Sequence, residues 1–152
     1  MRKLLIGVVL SVAFGGAAAA SDYIVVSSSD PSIPRGQALD AGARVALGAG
    51  KTITVMRATG EVMTLKGGAS GVIVPAAKMA AADSARFETL RALVEPPPQG
   101  RTFGARRGGI CPAIESLTSL DDIVRVAETS GCKTVARKAL DAYLAKTGVD
   151  NP

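Results

Sequence analysis

The alternation of apolar and polar positions divides the chain into a β-rich part and a helical part. In Thr52-Ile53-Thr54-Val55-Met56, Ile53 and Val55 fall on one side. Val62-Met63-Thr64-Leu65 returns with Met63 and Leu65 on one side. Between them, Ala58-Thr59-Gly60-Glu61 is a turn signal, with Gly60 free to take a positive φ. Tyr23 to Ser27 is a short β-branched run, Val45 and Leu47 share a face, and Val72-Ile73-Val74 follows a glycine cluster. The stretch Ser28 to Gly36 carries Pro31 and Pro34 and cannot be a central strand. Short strands broken by turn signals every 8–12 residues or so predict a small antiparallel β sandwich or barrel over residues 21–75.

At Pro75 the pattern changes period. Residues 76–95 predict an Ala-rich helix, with Phe87, Leu90 and Val94 as its buried stripe. Pro96-Pro97-Pro98 stops it and opens a Pro/Gly/Arg linker over 96–110. Residues 111–152 predict a helical hairpin. Ser119-Leu120-Asp121-Asp122 resembles a capping box, with Asp in place of the usual Glu. Leu120, Ile123, Val124 and Ala127 form one apolar face. A second helix from Lys133 to Lys146 sets Ala136, Ala139, Leu140, Tyr143 and Leu144 together, and Gly131 and Gly148 are placed to cap the two helices. The expected class is α+β.

The first twenty residues read as an export signal. Arg2 and Lys3 precede an apolar run from Leu4 to Phe14, and Ala18 and Ala20 fit an Ala-x-Ala cleavage before Ser21. The run is short for a spanning helix of about 20 apolar residues, so no transmembrane span is expected after cleavage; retention as an anchor is the alternative. Loss of Arg2 and Lys3 lowers the formal charge from +5 to +3, a weak pull toward anionic surfaces. The expected location is periplasmic or secreted. In that compartment Cys111 and Cys132, the only cysteines, are expected to form a disulfide, against a free or metal-bound pair. With no Trp and few other aromatics, the core must be mainly aliphatic, and such a staple would hold it shut.

The residues exclude more chemistry than they suggest. The chain has no histidine, the commonest general base and metal ligand. Asp121 and Asp122 point about 100° apart on a helix and serve its dipole. No cofactor, metal site or catalytic residue is expected. Ser130-Gly131-Cys132-Lys133 matches a Ser-x-x-Lys pattern and Lys146-Thr147-Gly148 a Lys-Thr-Gly pattern, but one helix separates them and no Ser-Asp-Asn element exists. The Gly67-Gly68-Ala69-Ser70-Gly71 cluster lacks the order of a phosphate cradle and reads as turn chemistry. Arg101, Arg106 and Arg107 form the densest basic patch, read as an anionic contact against a solvated loop. Only Phe103 lies near them to stack on a base, so no nucleic acid is expected.

Ile53-Thr54-Val55-Met56 and Val62-Met63-Thr64-Leu65, joined by Arg57-Ala58-Thr59-Gly60-Glu61, carry a strand–turn–strand rhythm within residues 41–71. This rhythm resembles the FecR-type periplasmic β module. The layout, with an Ala-rich helix and Gly-Ala-Arg-Arg-Gly at 104–108, also resembles small exported proteobacterial proteins of unknown function. The resemblance implies a non-catalytic envelope domain that contacts an envelope protein or an anionic polymer. FecR regulators carry an anti-sigma segment and a spanning helix ahead of the module; neither is read in these residues, so signal relay by that route is not expected. The alternatives are a hydrolase with Ser/Lys or carboxylate chemistry, and a structural envelope protein that oligomerises through β edges.

Overall fold

The computed structural model describes residues 21–76, 80, 83–96, 110–129 and 131–149. The expected signal segment and Arg101, Arg106, Arg107, Phe103 and Ser130 lie outside the described residues. Six strands come first: β1 (Tyr23–Ser28), β2 (Ala38–Leu39), β3 (Arg44–Val45), β4 (Thr52–Met56), β5 (Val62–Lys66) and β6 (Val72–Ile73). Three helices follow: α1 (Ser84–Val94), α2 (Leu120–Glu128) and α3 (Lys133–Lys146), with a 3-10 turn at Ile114–Ser116. The content is mixed α and β, with all strand pairs antiparallel. One sheet has the order β2-β1-β4-β5 and the other pairs β3 with β6; no closed barrel forms among the described residues.

The two faces of β1 organise the packing. Successive strand residues point to opposite sides. Ile24 and Val26 join a cluster with Met56, Phe87, Leu90, Ile123 and Leu140 from β4 and the helices. Tyr23 and Val25 join a second cluster with Ile53, Val55, Val45, Leu47 and Val74, shared with the small sheet. The larger sheet is thus apolar on both sides, between helices and the β3–β6 pair. Such double burial is usual for parallel strands, whereas antiparallel strands more often wet one face. All four residues Tyr23–Val26 are at most 1% exposed. The β1–β4 register shifts by one residue between Val25 and Ser27, a bulge that bends the strand where the helices pack.

The β4–β5 hairpin forms as its alternation predicts, with Val55 opposite Met63 and Ile53 opposite Leu65. Its turn is closed by Arg57 N–H donating to the Glu61 carbonyl at 2.9 Å, and Gly60 takes φ +90°. A Cβ at Gly60 would stand 2.9 Å from Leu120 Cδ2, so the missing side chain also lets the hairpin tip meet α2.

Helix α1 starts at Ser84, later than the predicted residue 76; Ala76 and Ala80 are not helical. The reason lies in its anchors. Phe87, Leu90, Leu93 and Val94 are buried, while the Ala-rich stretch before them has little apolar bulk to dock, and propensity alone does not hold a short helix. Helix α2 starts as read: Ser119 Oγ accepts from Asp122 N–H at 3.1 Å and donates to the Asp122 carboxylate at 2.6 Å. This replaces the reach-back that a Glu would make. Helix α3 has the predicted bounds, and Ala136, Ala139, Leu140 and Leu144 are buried on it.

Cys111 and Cys132 are disulfide-bonded, with Cα atoms 5.6 Å apart. The bond fastens the segment leading to Leu117 onto the start of α3, where Cys132 is fully buried. Polar contacts hold the layers in register: Arg35 pairs with Asp141, Arg86 with Asp121, and Arg137 Nη2 donates to the Ala92 carbonyl at 3.0 Å.

Replacing both cysteines with serine is expected to cost about 3 kcal/mol, the chain-entropy value for a loop of this size. Urea unfolding of the oxidised and reduced protein, set against the double variant, measures it. Equal midpoints would show that the core closes without the bond.

Candidate functional site

Two turns that lead out of the small sheet wall a cleft of about 530 Å³, lined by Arg44, Ala46, Leu47, Gly48, Ala49, Gly68, Ala69, Ser70 and Gly71. Strand β3 delivers Arg44 and β6 delivers Ile73, which is directly opposite it in the register. Arg44 is exposed and Ile73 is 60% exposed, so a cation that lines the cleft and an aliphatic side chain are neighbours on the small sheet.

Glycine makes the close approach of the two turns feasible. A Cβ on Gly67 would lie 2.1 Å from the Gly48 carbonyl oxygen, and one on Gly71 would lie 2.4 Å from that of Val45. Gly71 also takes φ +81°, where a side chain adds strain. The sequence reading of these glycines as turn chemistry therefore describes the walls of a cleft.

Asp30 anchors the first wall. Its carboxylate accepts from Ser32 Oγ at 2.7 Å and from Ser32 N–H at 3.0 Å. These two bonds, outweighing desolvation and aided by the Gly48 amide and the Lys51 charge, hold its pKa below the ordinary 3.8. Lys51 Nζ donates to the Ser29 carbonyl at 3.3 Å, and Lys51 N–H to that of Gly48 at 3.0 Å. The turn at 48–51 is thus tied to the 29–32 loop.

Arg44 differs from every other described arginine. Arg35, Arg57, Arg86, Arg91 and Arg125 pair with carboxylates, and Arg137 meets a carbonyl. Arg57 also lies over the Tyr23 ring, 5.8 Å from its centroid. Among the described residues Arg44 has no such partner. In the sequence Arg44 only precedes the stretch 45–47 and carries no motif that marks it as a site. A signal was present: residues 41–82 hold five basic residues and one acidic residue, Glu61.

The other candidates are dispersed. Lys133 lines a groove of about 290 Å³ with Thr89, Ala92, Leu93, Ala127 and Glu128. Lys146 lines a different one with Ile114, Leu117 and Tyr143. These lysines sit at the two ends of α3, about 20 Å apart at 1.5 Å per residue, and line different grooves; Ser130 of the Ser-x-x-Lys pattern lies outside the described residues. Asp121 turns to Arg86, while Asp122 turns to Ser119 and Arg125. Among the described residues no group of three or more His, Cys, Asp or Glu is placed to hold a metal, and no helix is long and apolar enough to cross a membrane.

No protein family, curated protein or solved structure matches this chain.

Two outcomes follow for the cleft. Gly71→Ala is expected to destabilise the chain by about 1–3 kcal/mol, through strain and contact with the Val45 carbonyl; thermal melts beside wild type measure it. Asp30 is expected to titrate below 3.8 by carboxyl carbon NMR, and Ser32→Ala to raise its midpoint. Because the folded state favours the carboxylate, its contribution is complete above about pH 4 and is lost as the pH falls through the lowered midpoint.

Proposed function

We propose that the chain is a non-catalytic binding module of the bacterial envelope, periplasmic or secreted, which takes an anionic group in the cleft beneath Arg44. One observation carries this reading: an exposed guanidinium, with no carboxylate partner among the described residues, lines a cleft walled mostly by main chain and small residues. A planar fork of donors recognises a carboxylate, phosphate or sulfate with two parallel bonds. Ser70 adds a neutral hydroxyl donor, and Ile73 offers apolar contact beside the charge. These groups hold a ligand and supply no acid–base pair.

The compartment rests on the N-terminal pattern and is supported by the disulfide, which persists in oxidising surroundings. Strand β1 begins at Tyr23, so cleavage before Ser21 leaves it whole. The two sheets that enclose one apolar cluster support a sandwich-like β module of the FecR type. The partner is then an anionic envelope polymer or an acidic stretch of an envelope protein.

The test is a titration of the protein, isolated from its own cells, with soluble peptidoglycan fragments and with an acidic polysaccharide, followed by amide shifts. Shifts are expected at Arg44, Ser70 and Ile73, and Arg44→Ala is expected to weaken binding roughly tenfold or more without lowering the melting temperature. Neutralising Arg101, Arg106 and Arg107 together measures the linker's share. Binding that survives Arg44→Ala but disappears with the linker variant would move the site to the linker. No binding to either probe would remove the anionic reading.

A further inference from the structure

The larger sheet ends on β5, and among the described residues no strand covers this edge. Arg57 N–H bonds to the Glu61 carbonyl and Gly67 N–H to that of Lys51, which fixes the phase of the β4–β5 ladder. Met63 and Leu65 therefore exchange bonds with Val55 and Ile53. The N–H and C=O groups of Val62, Thr64 and Lys66 face away from β4. Among the described residues no strand pairs with that side.

Edges of this kind are normally blunted by proline, lysine or other charges, a bulge, a very short strand or a covering helix or loop. Strand β5 has no proline, and its register with β4 runs unbroken from Thr52 opposite Lys66 to Met56 opposite Val62. Its only charge is Lys66, at one end.

We infer that a second copy of this chain pairs with this edge, β5 against β5, antiparallel about a twofold axis at Thr64. The register is self-complementary. Thr64 meets its own copy, and Val62 and Lys66 each meet the other, so three residue pairs exchange two main-chain bonds each. Met63 and Leu65 border the apolar cluster between the sheets. The same register sets Met63 opposite the other copy's Leu65 and extends that cluster across the axis. On the other face Thr54 Oγ1 lies 3.2 Å from Thr64 Oγ1, so the junction continues a threonine ladder. The two Lys66 side chains end roughly 14 Å apart, four residues along the strand at about 3.4 Å each, beyond the screening length at physiological salt. An unrelated extended segment could use the same main-chain groups, but it would lack this matched register.

Sedimentation of the protein isolated from its own cells, disulfide intact, tests the pairing over a dilution series. A monomer–dimer equilibrium is expected. Thr64→Lys places two ammonium groups face to face at the axis and is expected to weaken the dimer roughly tenfold or more, with an unchanged circular dichroism spectrum. Thr64→Pro removes an N–H that β4 does not use, and is expected to abolish the dimer. Should the proline variant fail to fold, the lysine variant decides alone. A monomer at every concentration overturns the inference. So does a dimer that Thr64→Lys leaves intact, or recovery of β5 only in pairing with another protein.

Discussion

Burial of β1 on both faces is the constraint on which the rest of the molecule depends. An antiparallel strand with one apolar face can lie on a single layer. Tyr23, Ile24, Val25 and Val26 give β1 two apolar faces, and each such side chain gains roughly 1.5–3 kcal/mol only when covered. The helices cover Ile24 and Val26, and the β3–β6 pair covers Tyr23 and Val25. Neither cover stands without the strand between. A two-stranded ribbon is marginal by itself, and helices of 9 to 14 residues need a surface to dock on.

The charged contacts follow from this layering. Arg35 reaches Asp141, Arg86 reaches Asp121, and Arg137 caps the end of α1 through the Ala92 carbonyl. These are partly exposed pairs of modest strength, so they select the relative positions of elements that apolar burial has already brought together. The disulfide adds a covalent tie between the approach to Leu117 and the buried start of α3.

Charge is segregated along with the layers. Among the described residues the helical side is rich in both signs and pairs Arg86, Arg91 and Arg125 with its own carboxylates. Residues 41–82 hold one acidic residue, Glu61, and among the described residues Arg44 pairs with no carboxylate and is exposed beside Ile73. The same shortage of acidic residues extends to β5, whose edge carries only Lys66. The exposed cleft and the β5 edge thus both lie on the β side, while the helices cover one face of the larger sheet.

What the sequence determined by itself was local. The alternation of Ile53, Val55, Met63 and Leu65 specified the hairpin and which side chains share a face, because the period of a strand is written in consecutive residues. Ser119 specified the start of α2, and the spacing of Ala136, Leu140 and Leu144 specified the buried face of α3. The lone cysteine pair was likewise legible as a disulfide. The candidate site was not. Arg44 reads as an ordinary strand residue until folding shows which arginines find acids, and those partners lie up to 106 residues away in sequence, as Asp141 does from Arg35. The start of α1 also depended on what it packs against, since alanine favours a helix but cannot anchor one. Which strand lies at the centre, which edge stays open and which turns face across a cleft were decided by tertiary structure alone. The physical reason is that burial and charge pairing act between residues distant in the chain, where no local period records them.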